Sequence, residues 1–180
     1  MKHKLQVFID VIFRLTSNFF LWLPFRKIRT YYLRLFVKSM GAYVYVGRNL
    51  DVRQPRNISL GDRVVLNKRA LLDGRGGLTI EHDVDIAQEA NIWTQQHDYN
   101  NPNHKTTNKP VFIGHHSWIC ARSVILPGVN VAPGTVLATC AVLTKDTSEK
   151  SIMGGIPAHF ITLRNNDLEY KLIHNPRFFD

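Results

Sequence analysis

Cysteine is scarce in this chain: only Cys120 and Cys140 occur in 180 residues. Both lie within a repeat and at different phases of it, so they need not face each other. No disulfide framework is implied, and a reducing compartment is the natural setting. Long apolar runs are missing too. The best candidate span, Val7 to Phe25, is interrupted by Asp10, Arg14 and Asn18, and no small-residue cleavage site of a signal peptide accompanies it. Acidic residues are nearly absent from residues 1–40, where Asp10 alone opposes eight Lys/Arg, so +7 of the formal +9 charge sits there. A basic balance raises nucleic acid as a partner. The sequence has no aromatic-basic strand motif, zinc spacing or helix-turn-helix pattern, and no nucleic acid is expected.

What the chain does have is a period of six. Ile113, Ile119, Ile125, Val131, Leu137 and Leu143 stand in strict register. Four residues after each come Ser117, Ser123, Val129, Thr135, Ala141 and Thr147, all small or β-branched. Pro127-Gly128 and Pro133-Gly134 repeat in phase. Neither a helix nor a plain strand sustains this period, and a hexad repeat marks a parallel β-helix. The register continues upstream through Ile80, Ile86 and Ile92, through Leu60, Leu66 and Leu72, and more weakly through Val46, Val52 and Ile58. Three hexads per triangular coil predict about five coils, a prism on the order of 25 Å long at the usual strand spacing.

Phase slips show where the chain leaves the prism. Leu72 to Ile80 carries two extra residues around Gly74, Gly76 and Gly77, and Ile92 to Ile113 spans twenty-one. The segment 94–110 is rich in Asn, Thr and Pro and predicts an extruded loop; it contains His97. At the N-terminus, residues 1–40 combine basic residues with nine Phe, Tyr or Trp, and they predict two short helices broken near Pro24. Such a segment fits either a solenoid cap or peripheral contact with an anionic membrane. The tail, 165–180, predicts a short C-terminal helix closing the far end, with Leu168 and Leu172 one turn apart.

Several motifs taken together resemble the hexapeptide-repeat acyltransferases over roughly residues 41–164. They are LDGRGGLTI, TQQHD, KPVFIGHHSWICARSVILPGV, AVLTKD, and GGIPA followed by Arg164. The likeness is strongest to the maltose, galactoside and colanic-acid-type exopolysaccharide O-acetyltransferases. It implies an all-β, left-handed parallel β-helix with an N-terminal helical cap, assembled as a homotrimer. It further implies transfer of an acetyl group from acetyl-CoA, without a metal, to a sugar hydroxyl or lipid-linked glycan acceptor in surface polysaccharide or glycolipid biosynthesis. The setting would be cytoplasmic, at the inner membrane surface.

The same resemblance assigns roles by position. His97 matches the catalytic general base; a neutral imidazole near pH 7 suits proton removal from a hydroxyl. Asn67 and Asp73 fall at or near acceptor-binding positions. Ala121, Thr139, Thr144 and Lys145 match positions that contact CoA, and Lys145 and Arg164 suit its phosphates. This chain departs from the pattern at Cys120 and Arg122, at Ala138-Thr139-Cys140 and at Ile156, which are expected to reshape the donor groove. Two other readings stand beside this one: a non-catalytic hexapeptide scaffold, and a metal-dependent lyase of the γ-carbonic anhydrase type. The lyase site takes two histidines five residues apart, a spacing absent here.

Overall fold

A computed structural model describes residues 2–173, with side chains from Val7 onward. The hexads fold as expected, each into a short strand followed by a corner. Successive strands fall on three faces of a triangular prism. Face 1 stacks Ser39–Met40, Ile58–Leu60, Leu78–Ile80, Val111–Ile113 and Asn130–Val131 in parallel. Face 2 stacks Tyr45–Val46, Val65–Leu66, Asp85–Ile86, Trp118–Ile119, Val136–Leu137 and Ser151–Gly154, and His159–Leu163 adds an antiparallel end strand. Face 3 stacks Asp51–Arg53, Leu71–Asp73, Asn91–Ile92, Val124–Ile125 and Val142–Leu143. The prism therefore has five layers on two faces and a sixth on face 2, slightly more than the five coils that the repeat predicts. The extra layer comes from Ser151–Gly154, which carries no hexad aliphatic to reveal it.

The period of six has a direct physical origin. Each hexad places one aliphatic at the axis, and Leu66, Leu72, Ile86, Ile92, Ile113, Ile119, Ile125, Val131, Leu137 and Leu143 are all fully buried. The corners need a residue in the left-handed backbone region just before the small one. Arg63, Asp83, His116 and Lys150 take this role along the edge between faces 1 and 2, with φ of 54–57°. Asn49, Arg69, Glu89, Arg122 and Cys140 do so between faces 2 and 3, with φ of 55–60°. Stacking then puts side chains of successive corners in line. Glu89 is gripped by Arg69 from the layer below and by Arg122 from the layer above.

Residues 2–34 form a longer cap than the two short helices expected. Helix α1 (Lys2–Trp22) runs 21 residues, and α2 (Arg26–Arg34) follows a break at Leu23-Pro24-Phe25. Proline lacks the N–H that a continuous helix would need there. Tyr32 stacks between Phe20 and Phe13, while Leu21 and Leu33 are buried against the first coil. Arg29 is fully buried as well, donating from Nε to the Val46 carbonyl at 2.9 Å and from Nη1 to that of Leu23. The cap thus closes the open end of the prism.

The helix expected over 165–180 does not form in its described part: 165–173 contains no helix, and the remainder lies outside the described residues. The tail instead crosses the edge between faces 1 and 2. His116 Nε2 donates to the Tyr170 carbonyl at 3.0 Å, and the Leu172 N–H donates to Asp83 at 2.9 Å. Backbone groups a helix would pair internally are used here as bonds to the prism.

Candidate active site

The segment 94–110 leaves the edge between faces 3 and 1 and folds back as a hairpin. Gln95–His97 pairs antiparallel with Thr106–Asn108, His97 lying opposite Thr106. Short Asn and Asp side chains shape the tip, Asp98 accepting from the Asn100 N–H and Asn101 from that of Asn103. Asp98 therefore serves the turn and not the neighbouring imidazole.

His97 is exposed on this hairpin. Its Nδ1 lies 2.8 Å from the backbone carbonyl of His104, whose ring stacks on it at 3.8 Å between centroids. A carbonyl only accepts, so Nδ1 carries the hydrogen and, in the neutral ring, Nε2 carries the free lone pair. One contact fixes both tautomer and ring orientation.

The base of the hairpin is anchored by a buried carboxylate. Asp73 is fully buried, and its two oxygens accept from Arg75 Nε, Arg75 Nη2 and the N–H groups of Arg75 and Thr94 at 2.8–3.1 Å. Arg75 Nη1 passes the contact on to Gln95, two residues before His97, and Gln95 Nε2 donates to Asn108 across the hairpin at 2.7 Å. Burial pushes the Asp73 carboxyl up, but the Arg75 guanidinium and the two backbone N–H groups outweigh it and hold the group below the ordinary carboxylate range. Arg75 and Gln95 stand inside the quoted motifs and His104 inside the loop, yet motif reasoning gave none of them a role. Stacking brings 75 and 95 together across a coil, and only a known coil length would have paired them.

The other positions assigned from sequence divide between edges. Thr144 and Lys145 are exposed on the edge that carries the hairpin. Asn67, Ala121 and Thr139 lie on the edge between faces 2 and 3, where Asn67 Nδ2 donates to Asp85 at 2.9 Å. Arg164 is spent on the third edge, donating to the His116 and Gly134 carbonyls at 2.8 and 3.2 Å. One chain thus presents the imidazole and the Asn67–Thr139 group on different edges. Among the substituted positions, Arg122 and Cys140 occupy left-handed corners with φ of 59° and 60°, where glycine is the easiest residue; Arg122 offsets this with its bond to Glu89.

A groove of about 740 Å³ lies between α1 and face 3 of the prism, lined by Arg14, Ser17 and Asn18 of the helix and by Asp51, Arg53 and Arg75 of the prism. Two of these lining arginines also sit over the ring of Trp93, Arg53 at 4.8 Å and Arg75 at 6.0 Å from its centroid. Arg75 therefore faces both the groove and the hairpin anchor.

Stacking also gathers histidines far apart in sequence. Ligand atoms of His82, Asp83 and His116 lie within 4.8 Å of one another. The Asp83 oxygens, however, already accept two bonds from Arg63, one from His82 and one from the Leu172 N–H. Both His116 ring nitrogens are engaged as well, by Tyr170 and His115. This group is built as a clasp for the tail around an ion pair.

The prism, the extruded hairpin and the repeat define the fold: a parallel β-helix that matches those of the left-handed β-helix acetyltransferases. No family model matches the chain. Among individual proteins, it is 26% identical over 150 residues, 82% of each chain, to an Escherichia coli (strain K12) protein named, provisionally, colanic acid biosynthesis acetyltransferase WcaF. In structure it is similar to a maltose O-acetyltransferase from Clostridium difficile 630, with TM-score 0.81, 22% identity and coverage of 90% and 89% of the two chains. It is also similar to a hexapeptide-repeat acetyltransferase of Vibrio cholerae O1 biovar eltor complexed with acetyl coenzyme A, with TM-score 0.80, 22% identity and coverage of 91% and 89%.

Proposed function

We propose that the protein transfers the acetyl group of acetyl-CoA to a hydroxyl of a glycan acceptor, with His97 Nε2 as the general base. The observation that carries this reading is the imidazole itself, exposed on a braced hairpin with Nδ1 committed to the His104 carbonyl. The names of the similar proteins, for colanic acid biosynthesis and maltose, support a sugar acceptor. The groove beneath α1 supports it independently, since its Arg, Asp, Asn and Ser side chains offer partners for sugar hydroxyls and Trp22 offers an apolar face.

In the reaction, Nε2 takes the hydroxyl proton as the acceptor oxygen bonds to the thioester carbonyl carbon. The tetrahedral intermediate collapses, the carbon–sulfur bond breaks, and the thiolate leaves with the proton returned by the imidazolium. Acetyl ester and free CoA thiol result, and no metal is needed. The two separated edges support a site completed by a second copy, one chain supplying the hairpin and its neighbour the Asn67–Thr139 edge.

Thiol release from acetyl-CoA in the presence of a sugar panel tests the reading. His97→Ala is expected to lower turnover by about 10²–10⁴ with little change in KM for acetyl-CoA, the range for a general base. Wild-type turnover retained in that variant would remove His97 from the chemistry.

A further inference from the structure

Helices α1 and α2 turn one side toward the prism and leave the other uncovered, and the uncovered side is apolar. On α1, Phe8, Ile12, Leu15, Phe19 and Trp22 follow the alternating four- and three-residue steps of a single helix side. Phe8, Leu15, Phe19 and Trp22 expose 53–77% of their surface. Along α2 and its two flanking residues, Phe25, Ile28, Tyr31 and Leu35 repeat the pattern with 41–66% exposure. The opposite sides, with Phe13, Leu21, Tyr32 and Leu33 buried, hold the helices to the first coil. Folding therefore uses the inner sides only. So many large apolar groups on one helical pair go beyond scattered surface hydrophobes and mark a docking surface.

Charge selects the partner. Lys27, Arg34 and Lys38 are exposed beside the apolar stripes. The only acid, Asp10, is half-buried and paired with Arg56 at 2.7 Å. A second copy docked face to face would set these cations against their own equivalents. An anionic lipid surface instead accepts the apolar stripes into its headgroup boundary and the cations at its phosphates. Trp22 and Tyr31 suit that boundary through their amphipathic rings. Among the described residues no helix is long and apolar enough to cross a bilayer, so an in-plane arrangement is the one that fits.

We propose that this face docks on an anionic bilayer with α1 and α2 lying in the plane of the headgroups. The groove lies directly beneath α1, and its Arg75 bonds to Gln95 at the root of the His97 hairpin, so docking holds the groove next to the lipid. The acceptor would then be a glycan carried on a lipid; that last step rests on the acetyl-transfer reading, whereas docking does not.

The test is sedimentation of the full chain with vesicles of phosphatidylcholine alone and of phosphatidylcholine with about 30% phosphatidylglycerol, alongside sedimentation velocity and circular dichroism. We expect the mixed vesicles to capture the protein about tenfold better or more, with the gain lost at high salt. Leu15→Glu/Phe19→Glu is expected to lose about tenfold in capture with unchanged mass and helicity, and Lys27→Glu/Lys38→Glu to lose the preference for anionic lipid. Equal capture of wild type and the Leu15→Glu/Phe19→Glu protein would overturn the proposal. So would a fall in oligomer mass in that variant, which would give the face to a second copy. Acetyl transfer to soluble sugars and to a glycolipid in the vesicles is measured in parallel; absence of both with vesicle capture intact would sink the chemistry and leave docking standing.

Discussion

Two buried carboxylates, Asp73 and Asp83, keep their charge because specific donors outweigh the loss of water. For Asp83, as for Asp73, burial raises the pKa; Arg63, His82 and the Leu172 N–H then lower it well below the ordinary value of 3.8. A depressed carboxylate contributes stability that is whole above the unfolded value and is lost as pH falls through the folded one. Asp73→Asn should therefore cost about 3 kcal/mol at neutral pH, the lower end for a broken buried pair because Arg75 retains some exposure. Urea titration should find that difference shrinking below about pH 4 as the wild-type carboxylates themselves protonate. Turnover should fall in the same variant, because Arg75 and Gln95 lose the anchor that sets the hairpin.

His116 arrives at the same pH dependence by the opposite route, since its neutral form is the one the fold favours. Burial lowers its pKa below 6.5, with the Tyr170 carbonyl and Asp83 opposing and His115 and His82 assisting. The folded protein then binds fewer protons than the unfolded chain just below pH 6.5, so stability declines as pH falls from there toward the folded value. His116→Asn, which tolerates the left-handed corner, should flatten melting temperature against pH across that window. A slope identical to wild type would show that another group sets it. At this scale the sequence made the place of His97 in an extruded loop legible, because its motif falls in the longest break of the repeat. It did not reveal that Asp73 is consumed as an anchor or that Arg164 holds carbonyls, since both facts depend on what the neighbouring coil presents.

The hairpin carries His97, the base in the proposed reaction, and its geometry hinges on a close approach at its root. A Cβ added at Gly76 would meet the Thr94 carbonyl at 2.4 Å and that of Lys109 at 2.8 Å. Gly76→Ala should cost about 1–3 kcal/mol from overpacking and lower kcat by more than the stability loss explains, since Thr94 and Lys109 are the two ends of the hairpin. Far-ultraviolet circular dichroism with steady-state kinetics separates the two effects. Elements built on the hexad were fully readable, because Ile113 through Leu143 repeat one packing problem. The tail was not: Leu168 and Leu172 at helical spacing look helical alone, yet Arg164, Tyr170 and Leu172 bond to the prism instead.

For the whole molecule, the separation of His97 from Asn67 and Thr139 has a measurable corollary. If neighbouring copies complete each site, mixing inactive His97→Ala with inactive Asn67→Ala should restore activity. Random mixing in a closed ring leaves about one quarter of the sites with both intact edges. Activity that stays at the level of the separate variants would confine the site to one chain. The three-faced prism was legible from periodicity, whereas the length of α1 was not, because its charges interrupt the apolar pattern.

The layered construction also separates two kinds of change. Each coil bonds only to the coils directly above and below it, and the helical pair touches the stack at its first layer, while the imidazole emerges from a middle one. If the helical pair docks on lipid and the imidazole acts as the base, the segment that says where the protein goes and the segment that says what it does are written in different parts of the chain. Variation can rewrite the address while leaving the message intact.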